Sequence, residues 1–299
     1  MTVSVTKQNI TNLMVDLGNY NTKTNTGVVF TSKFSHGKPI NPLGESVITF
    51  NGESYTMETG HFDNTFNKAK KNFMPNLLYA IIKSSDPKQE DFNLILNYPV
   101  DNAAVSSEFK ELLSNKEFKV NYQKGSKSID RTIRIHNVNL VPECVASYYT
   151  LNSNQRAEDL MIIDIGSRTT NVAVFTKRKL IEKFTIPLGS IDLFSTIMTR
   201  FNNDNGDNKQ IEDIERLIDI GYITDTEVEE MQFLDDIMNQ IDRRVDRKTY
   251  INYYTGGTSL RLQFLIENYV EPNGTLMDNP LFSNVNGSKV IFEAINKNV

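Results

Sequence analysis

The sequence predicts an α/β protein of two domains, and three observations support this prediction. The chain has 299 residues, about the length of two average domains. Short apolar runs typical of strands alternate with longer segments whose apolar residues have helical spacing. A strand that ends in Asp-x-Gly occurs twice, at Asp16 and at Asp164, and the copies lie 148 positions apart. A repeat at about half the chain length indicates duplication of a whole domain.

Composition excludes several classes of protein. The net charge of −5 provides no global basic field for direct binding of nucleic acid. One cysteine excludes a disulfide framework and a thiolate zinc site, and three scattered histidines argue against a His-rich metal centre. The first ten residues are too polar for a signal peptide, and no apolar run approaches the about 18 residues that cross a membrane. We therefore expect a cytoplasmic protein.

The first half opens with short β-like runs separated by Gly, Asn and Pro, at residues 13–16, 27–31, 46–50 and 54–57. A helix is predicted at 66–84, which Pro75 would bend or split, and a buried strand at 92–98. A helix and two strands complete this half, at residues 103–114, 118–122 and 129–138.

The second half repeats the order of strands followed by helices. Its predicted strands and first helix lie at residues 160–165, 171–175, 180–187 and 191–201. The charged stretch 207–247 has helical spacing, so we expect its acidic cluster at 227–230 to be a solvated helix face. An apolar strand before Gly256 and a helix to about Tyr269 follow.

A polar turn that could bind phosphate follows each Asp-x-Gly copy. Glycine lets the backbone approach a ligand closely, and clustered backbone N–H groups and side-chain donors bind phosphate oxygens. The side-chain donors are Asn19, Asn21 and Thr22 in one turn and Ser167, Thr169 and Thr170 in the other. Two such hairpins, one from each domain, could hold a polyphosphate between them.

A carboxylate beside each turn fits an anion site if a divalent cation lies between them. Mg²⁺ keeps several waters and binds one or two carboxylates together with phosphate oxygens. Asp16 and Asp164 are therefore candidates for the magnesium shell, although each could equally cap its own turn. Lys23 is placed to reach the β- or γ-phosphate, unless it is an ordinary surface lysine.

Two further segments carry candidate site residues. Glu143, in the first turn of a predicted helix, could orient or deprotonate a water or could merely interact with the helix dipole. Its neighbour Cys144 is predicted to be a small buried apolar residue. Gly256 and Gly257 permit close approach of a nucleoside or phosphate. The sequence contains no P-loop and no Gly-x-Gly-x-x-Gly motif.

In this order the motifs resemble those of the actin superfamily, which includes heat-shock chaperone ATPases and sugar kinases. Five segments carry the resemblance: 14–23, 139–147, 164–170, 253–259 and 279–287. Within the superfamily the chain is most similar to bacterial and plasmid actin-like proteins of the ParM/Alp kind. The resemblance implies an actin-like fold of two RNase-H-like domains with a nucleotide cleft between them. Domain I would be 1–155 with the C-terminal helix 280–299 returning to it, and domain II would be 156–279.

The resemblance also implies roles for individual residues. Asp16 and Asp164 would organise Mg²⁺, and Glu143 would polarise the hydrolytic water. The residues implied to bind the nucleotide are Gly18, Asn19, Asn21, Thr22, Lys23, Gly166, Ser167, Arg168, Thr169, Gly256, Gly257 and Thr258. Arg168 departs from the small residue of many relatives. The candidates for ribose and base contacts are Glu212, Asp213 and Arg216.

The function implied is that of an ATPase that uses ATP or GTP with Mg²⁺, polymerises with nucleotide and disassembles after hydrolysis. Its filament would segregate plasmid DNA through a DNA-binding adaptor on a centromere-like site. The alternatives are a sugar-type kinase of the same superfamily and a morphogenesis scaffold that docks on a membrane. The loops 124–130 and 202–208 hold no obvious acceptor pocket, and no terminal amphipathic helix supports membrane docking.

Overall fold

Two compact units make up the chain, and the computed structural model describes residues 9–40, 44–62, 72–100, 103–270 and 274–297. The first unit comprises Met1–Tyr98 and Asn102–Val141, and the second comprises Pro99–Asp101 and Pro142–Val299. Each unit contains a β-sheet with helices, which confirms the predicted α/β class. None of the described helices combines the length and the apolar character needed to cross a lipid bilayer.

A mixed sheet forms the first unit, and its described strands are β1 (Thr11–Leu17), β2 (Asn21–Thr24), β3 (Val29–Thr31), β4 (Phe34–His36), β5 (Ser46–Phe50), β6 (Glu53–Met57), β7 (Asp91–Tyr98), β8 (Lys116–Lys124) and β9 (Lys127–Pro142). Their order across the sheet is β3-β2-β1-β7-β9-β8-β5-β6-β4. β1 pairs antiparallel with β2 and parallel with β7, so both of its edges are hydrogen-bonded. Its residues from Leu13 to Leu17 are all buried, as expected for a strand covered on both faces.

Helix α1 (Met74–Ser84) packs against β1 and β2, and α2 (Ala103–Leu113) completes the core of this unit. Pro75 does not bend α1, because the described helix begins at Met74, next to this proline. This residue lies in the first turn of α1, where the missing N–H of proline has no intrahelical partner to lose. Residues 66–71 of the helix predicted at 66–84 lie outside the described residues.

The second unit has a five-stranded sheet in the described residues, formed by β10 (Leu160–Ile165), β11 (Thr170–Thr176), β12 (Lys179–Ile186), β13 (Ile251–Thr255) and β14 (Thr275–Leu276) in the order β12-β11-β10-β13-β14. The described helices of this unit are α3 (Val145–Tyr148), α4 (Ser190–Asn205), α5 (Ile211–Asp219), α6 (Glu227–Asp242), α7 (Gly257–Arg261), α8 (Gln263–Leu265) and α9 (Ser283–Lys297). The helix predicted to continue to Tyr269 is instead interrupted at Leu262, and a π-helical turn covers Ile266–Val270.

The acidic cluster at the start of α6 is only partly a solvated face. Glu229 is buried and is paired with Arg200 of α4. Glu230 accepts a hydrogen bond from Thr226, and burial raises its pKa. The prediction was wrong for Glu229, because this carboxylate joins two helices.

The last helix, α9, packs against α3 within the second unit. Their backbones are so close that a Cβ on Gly287 would overlap the carbonyl oxygen of Ala146 and lie 3.1 Å from the backbone nitrogen of Ser147. The contacts therefore group α3 and α9 with the second sheet. The predicted domain boundaries, which placed 1–155 and 280–299 together, stay a prediction.

The close approach of α9 and α3 predicts that Gly287→Ala destabilises the protein. In a helix, alanine is ordinarily more stabilising than glycine by about 0.5–1 kcal/mol. A loss of stability in Gly287→Ala would therefore have to come from the steric clash. We expect a loss of about 1–3 kcal/mol from overpacking, measured by urea unfolding. Lys289→Ala, at an exposed position of the same helix, is the control and should change stability by less than about 0.5 kcal/mol. A Gly287→Ala protein at least as stable as the native one would contradict this packing.

Candidate functional site

In the first unit, the candidate residues lie on the hairpin formed by β1 and β2. Asp16 and Lys23 are directly opposite each other in the strand register. The Lys23 Nζ lies 3.5 Å from the Asp16 Oδ2, and the Asp16 residue is only 5% exposed. The hairpin therefore holds a buried carboxylate beside an ammonium group on one face of the sheet.

A second set of contacts fixes the turn of this hairpin. A Cβ on Gly18 would overlap the carbonyl oxygen of Asn21, so the tight turn requires glycine. The Ser32 hydroxyl donates to the Gly18 carbonyl at 2.7 Å and is 2.9 Å from the Thr22 hydroxyl. Asn76 donates to the Ser32 carbonyl at 3.0 Å. Thr22 is fully buried, so in this structure its hydroxyl supports the turn, and its predicted contact with phosphate stays a prediction.

In the second unit, the corresponding hairpin turn lies between β10 and β11. The Gly166 N–H donates to the Thr169 carbonyl at 2.9 Å. The Gly166 carbonyl accepts from the Ser190 N–H at 3.1 Å and from the Thr258 hydroxyl at 2.9 Å. The first turns of α4 and α7 therefore support this hairpin from two sides. Thr258, predicted to contact the nucleoside, links α7 to the turn.

The predicted residues at the two turns are half-buried, and they are Gly18, Asn19, Asn21, Gly166, Ser167, Arg168 and Thr169. Each turn follows directly from the strand that carries its buried aspartate. The sequence prediction that each unit places an aspartate beside a glycine-containing turn therefore matches the geometry within each unit.

A row of polar residues crosses the second sheet beside its hairpin. Thr185 of β12 is opposite Asn171 of β11, and Asn171 is opposite Asp164 of β10. Asp164 is in turn opposite Thr255 of β13. Residues in register on neighbouring strands point to the same face of a sheet. These four residues, termed the polar row, therefore form a continuous polar line in a mostly apolar sheet.

Glu143 is joined to the polar row through an amide. The Asn171 Nδ2 donates to the Glu143 Oε2 at 2.9 Å, and the Asn171 Oδ1 accepts from the Thr185 hydroxyl at 2.8 Å. Glu143 is 6% exposed and Asn171 is 2% exposed. Because Asn171 bonds Glu143 and is opposite Asp164, the structure brings two of the three predicted catalytic residues together in one unit.

Asp164 is held by the C-terminal helix. The Asn284 Nδ2 donates to the Asp164 Oδ2 at 2.7 Å. The Asn284 Oδ1 accepts from the Cys144 N–H at 3.0 Å and from the Ser147 hydroxyl at 2.8 Å. A backbone N–H can only donate, so this contact fixes which end of the amide faces Asp164.

The turn at Gly256 lies against the same carboxylate. Gly256 has a φ of +93°, and a Cβ there would overlap the Asp164 Oδ1 and the Ile165 carbonyl oxygen. Glycine therefore satisfies two requirements, the left-handed backbone and the close approach to Asp164. Gly257 begins α7, and a Cβ there would lie 3.6 Å from the Leu281 Cδ1, which is an ordinary van der Waals contact.

Helix α5, which carries the candidates for ribose and base contacts, is held beside α7 by Arg261. This guanidinium lies 2.9 Å from the Asp219 carboxylate and 3.5 Å from the Glu215 carboxylate. On the outer surface of α5, Arg216 and Asp213 form a loose ion pair at 3.8 Å. The structure thus places the helix next to the Gly256–Gly257 turn, while the specific contacts of Glu212, Asp213 and Arg216 stay a prediction.

The chain is similar to known proteins in part of its sequence and in its fold. Residues 15–145 match the family described as actin like proteins N terminal domain. The crystal structure of Ta0583, an archaeal actin homologue, is 16% identical, covers 95% of this chain and 100% of its own, and has a TM-score of 0.80. The chain has an actin-like fold, and its residues 15–145 match an actin-like family. The resemblance inferred from the five motifs is confirmed, and so is the actin-like fold.

Two filament structures are also similar to this chain. The ParM filament from Clostridium botulinum is 20% identical over 96% of this chain and 99% of its own, with a TM-score of 0.77. The Alp12 filament is 17% identical over 96% and 99% of the two chains, with a TM-score of 0.63. Ta0583 has also been solved in complex with ADP, with a TM-score of 0.79. No curated protein matches the chain.

Each hairpin, taken by itself, offers a carboxylate of the kind that suits a magnesium ion bound together with phosphate. Asp16 and Asp164 each offer a buried carboxylate. Nowhere in the described ranges do three or more His, Cys, Asp or Glu residues form a group that could hold a metal. Mg²⁺ binds one or two carboxylates and completes its shell with waters and phosphate oxygens. Its chemistry therefore matches these residues better than that of a metal held in an all-protein cage.

Sequence reasoning missed the side chains that hold the carboxylates. Asn171 gave a signal, because it is a polar residue near the start of an otherwise apolar strand and directly follows the second hairpin. Asn284 lies inside the 279–287 motif, but the amino-acid sequence does not show that its side chain contacts Asp164. Thr185 and Ser32 gave no signal, since a hydroxyl residue in a half-exposed strand or loop is common.

Cys144 is fully buried, as predicted, and lies at the centre of this network. It has a φ of +65°, and its Sγ donates to the Asn171 carbonyl at 3.0 Å. Burial raises the pKa of the Cys144 thiol well above its usual range, and the carboxylates of Asp164 and Glu143 raise it further. Because the thiolate is the reactive form, this cysteine should be inert while the unit is folded.

The burial of Cys144 predicts no labelling by Ellman's reagent in the native protein at pH 8. The same protein in guanidinium chloride should release one thiol per chain, since the sequence has one cysteine. Absorbance of the released thiolate measures both. Complete labelling of the folded protein within the time needed for the unfolded protein would contradict the packing of α3.

Proposed function

We propose that this actin-like protein hydrolyses a nucleoside triphosphate, forms filaments with it, and segregates plasmid DNA. The observation that supports this proposal is an arrangement that occurs once in each unit. Each unit has a strand with a buried aspartate that leads into a glycine-containing hairpin. Burying a carboxylate is costly unless hydrogen bonds or a cation compensate for the lost hydration. Turns rich in donors beside both aspartates support the proposal of a magnesium-bound polyphosphate.

The proposed ligands follow from the two hairpins. Asp16 and Asp164 would hold Mg²⁺, and the backbone and side-chain donors of both turns would bind phosphate oxygens. Lys23, 3.5 Å from Asp16, would add a point charge for the phosphates. When bound, Mg²⁺ would offset negative charge on the phosphate oxygens. The turn at Gly256 and the neighbouring α5 would supply the nucleoside contacts, with ATP or GTP as the substrate.

Glu143 is the proposed group for activating water. Its carboxylate is buried, is oriented by Asn171, and lies beside the residue opposite Asp164. A fixed carboxylate can orient a water for in-line attack and accept its proton. The prediction that Glu143 lies in the first turn of a helix was wrong, because it precedes Cys144, the N-cap of α3, and α3 has only four residues. The alternative role of a helix-dipole acid therefore receives little support.

Polymerisation is proposed from the fold and from the filaments of ParM and Alp12. A coupling of about 1–3 kcal/mol between nucleotide state and subunit contact would change subunit affinity about 5- to 150-fold. The net charge of −5 supports recruitment of DNA through a separate adaptor. The proposed partners are therefore further copies of this chain and a DNA-binding adaptor on a plasmid site.

Filament formation predicts nucleotide-dependent sedimentation. We expect the native protein to pellet in high-speed centrifugation with Mg·ATP or Mg·GTP and to stay in the supernatant without nucleotide. Asp164→Ala is the informative variant, because it removes a proposed magnesium ligand and should abolish the pellet. Lack of nucleotide-dependent sedimentation at any concentration up to the solubility limit would contradict the filament proposal.

The role of Glu143 predicts slow hydrolysis with intact binding in Glu143→Gln. Phosphate release should fall about 100-fold or more, because a general base contributes at least this factor. Affinity for a fluorescent nucleotide should change by less than about twofold, since the side chain is proposed to act on water. Glu158→Gln, at an exposed position, is the matched control. Native hydrolysis in Glu143→Gln would remove the residue from the mechanism.

A further inference from the structure

We propose that Asn171, braced by Thr185, is a positioning residue that orients the Glu143 carboxylate for hydrolysis. The inference rests on the proposed function of Glu143 and adds two residues to it. Neither residue is proposed to touch the nucleotide. Each acts through the hydrogen bonds that lead to Glu143.

The strand register places the three groups in line. Asn171 stands opposite Thr185 on β12, and both side chains therefore lie on one face of the sheet. From this position Asn171 reaches the Glu143 Oε2 at 2.9 Å with its Nδ2, while its Oδ1 receives the Thr185 hydroxyl at 2.8 Å. The Asn171 amide thus connects the sheet to Glu143, two residues before α3.

The chemistry of the two contacts fixes the direction of the amide. An ionised carboxylate can only accept hydrogen bonds, so it must face the NH₂ end of Asn171. The opposite end is an acceptor, and the Thr185 hydroxyl supplies its donor. A flipped amide would place its oxygen against the Glu143 carboxylate and lose the charge-assisted hydrogen bond. Thr185 therefore helps to select the orientation that holds Glu143.

Asparagine at position 171 has no advantage for the sheet itself. The next two residues of β11, Val172 and Ala173, are fully buried and apolar, and asparagine is a poor strand former. Burying an amide is unfavourable unless its donors and acceptor are used. The Asn171 Nδ2 donates to Glu143 and its Oδ1 accepts from Thr185, which indicates that the residue serves the carboxylate.

The first test compares hydrolysis in Asn171→Ala with hydrolysis in Glu143→Gln. Asn171→Ala should lower the turnover rate about 10- to 100-fold, the value of a hydrogen bond to a charged group. Nucleotide affinity should stay within about twofold, because no ligand contact is lost. In the double variant with Glu143→Gln, the turnover rate should match that of Glu143→Gln alone within about twofold. Losses that multiply would overturn the inference, since Asn171 would then act independently of Glu143.

The second test uses Thr185 and does not disturb the buried amide directly. Thr185→Val keeps the shape and removes the hydroxyl, so turnover should fall about threefold to tenfold. Thr185→Ser keeps the hydroxyl and should restore native turnover within about twofold. Equal turnover in Thr185→Val and the native protein, or equal losses in Thr185→Val and Thr185→Ser, would overturn the bracing role.

Hydrolysis by the native protein and by Glu143→Gln distinguishes a failure of this inference from a failure of the proposed function. If the native protein hydrolyses nucleotide and Glu143→Gln does not, native turnover in Asn171→Ala contradicts only the positioning role. If the native protein shows no hydrolysis at all, the proposed function fails first and the positioning role fails with it. If Asn171→Ala does not fold, the Thr185→Val and Thr185→Ser pair decides.

Discussion

The constraint on which the candidate site depends is the burial of its three carboxylates, Asp16, Glu143 and Asp164. A charge removed from water is tolerated only if hydrogen bonds or an opposite charge compensate for the lost hydration. Asp16 has Lys23 beside it, Asp164 accepts from Asn284, and Glu143 accepts from Asn171. The strand register aligns Lys23 with Asp16 and places Asn171 beside Asp164, whereas the donor to Asp164 comes from α9.

The buried aspartates of the two units have partners of different chemical kinds. Lys23 is a cation, so it offsets part of the charge of Asp16. The amides of Asn284 and Asn171 are neutral, so they fix the geometry of Asp164 and Glu143 and leave their charge in place. A carboxylate held by a neutral amide keeps a fixed orientation. Each unit therefore has an aspartate at the end of the corresponding strand, but a lysine contacts Asp16 and an asparagine amide contacts Asp164.

Much of the fold and part of the site could be predicted from the sequence. The strands of the second unit were predicted well because their apolar runs end in clear turns, as at Ile165 and Gly166. The start of α1 was misplaced because Pro75 favours a first turn as readily as it bends a helix. Asn171, Thr185 and Asn284 were missed because hydrogen bonds across 14 and 120 positions depend on register and packing. Local patterns do not report such distant contacts.

The position of Asn284 ties the site to the end of the chain. The amide that holds Asp164 comes from α9 and is itself held by Cys144 and Ser147 at the start of α3. Gly287 allows these helices to approach closely enough for that contact. Asp164 therefore gains this donor only after α9 has packed against α3. Because the partners are distant in sequence, their pairing requires closure of a long loop, and the geometry of the carboxylate depends on the docking of the last helix.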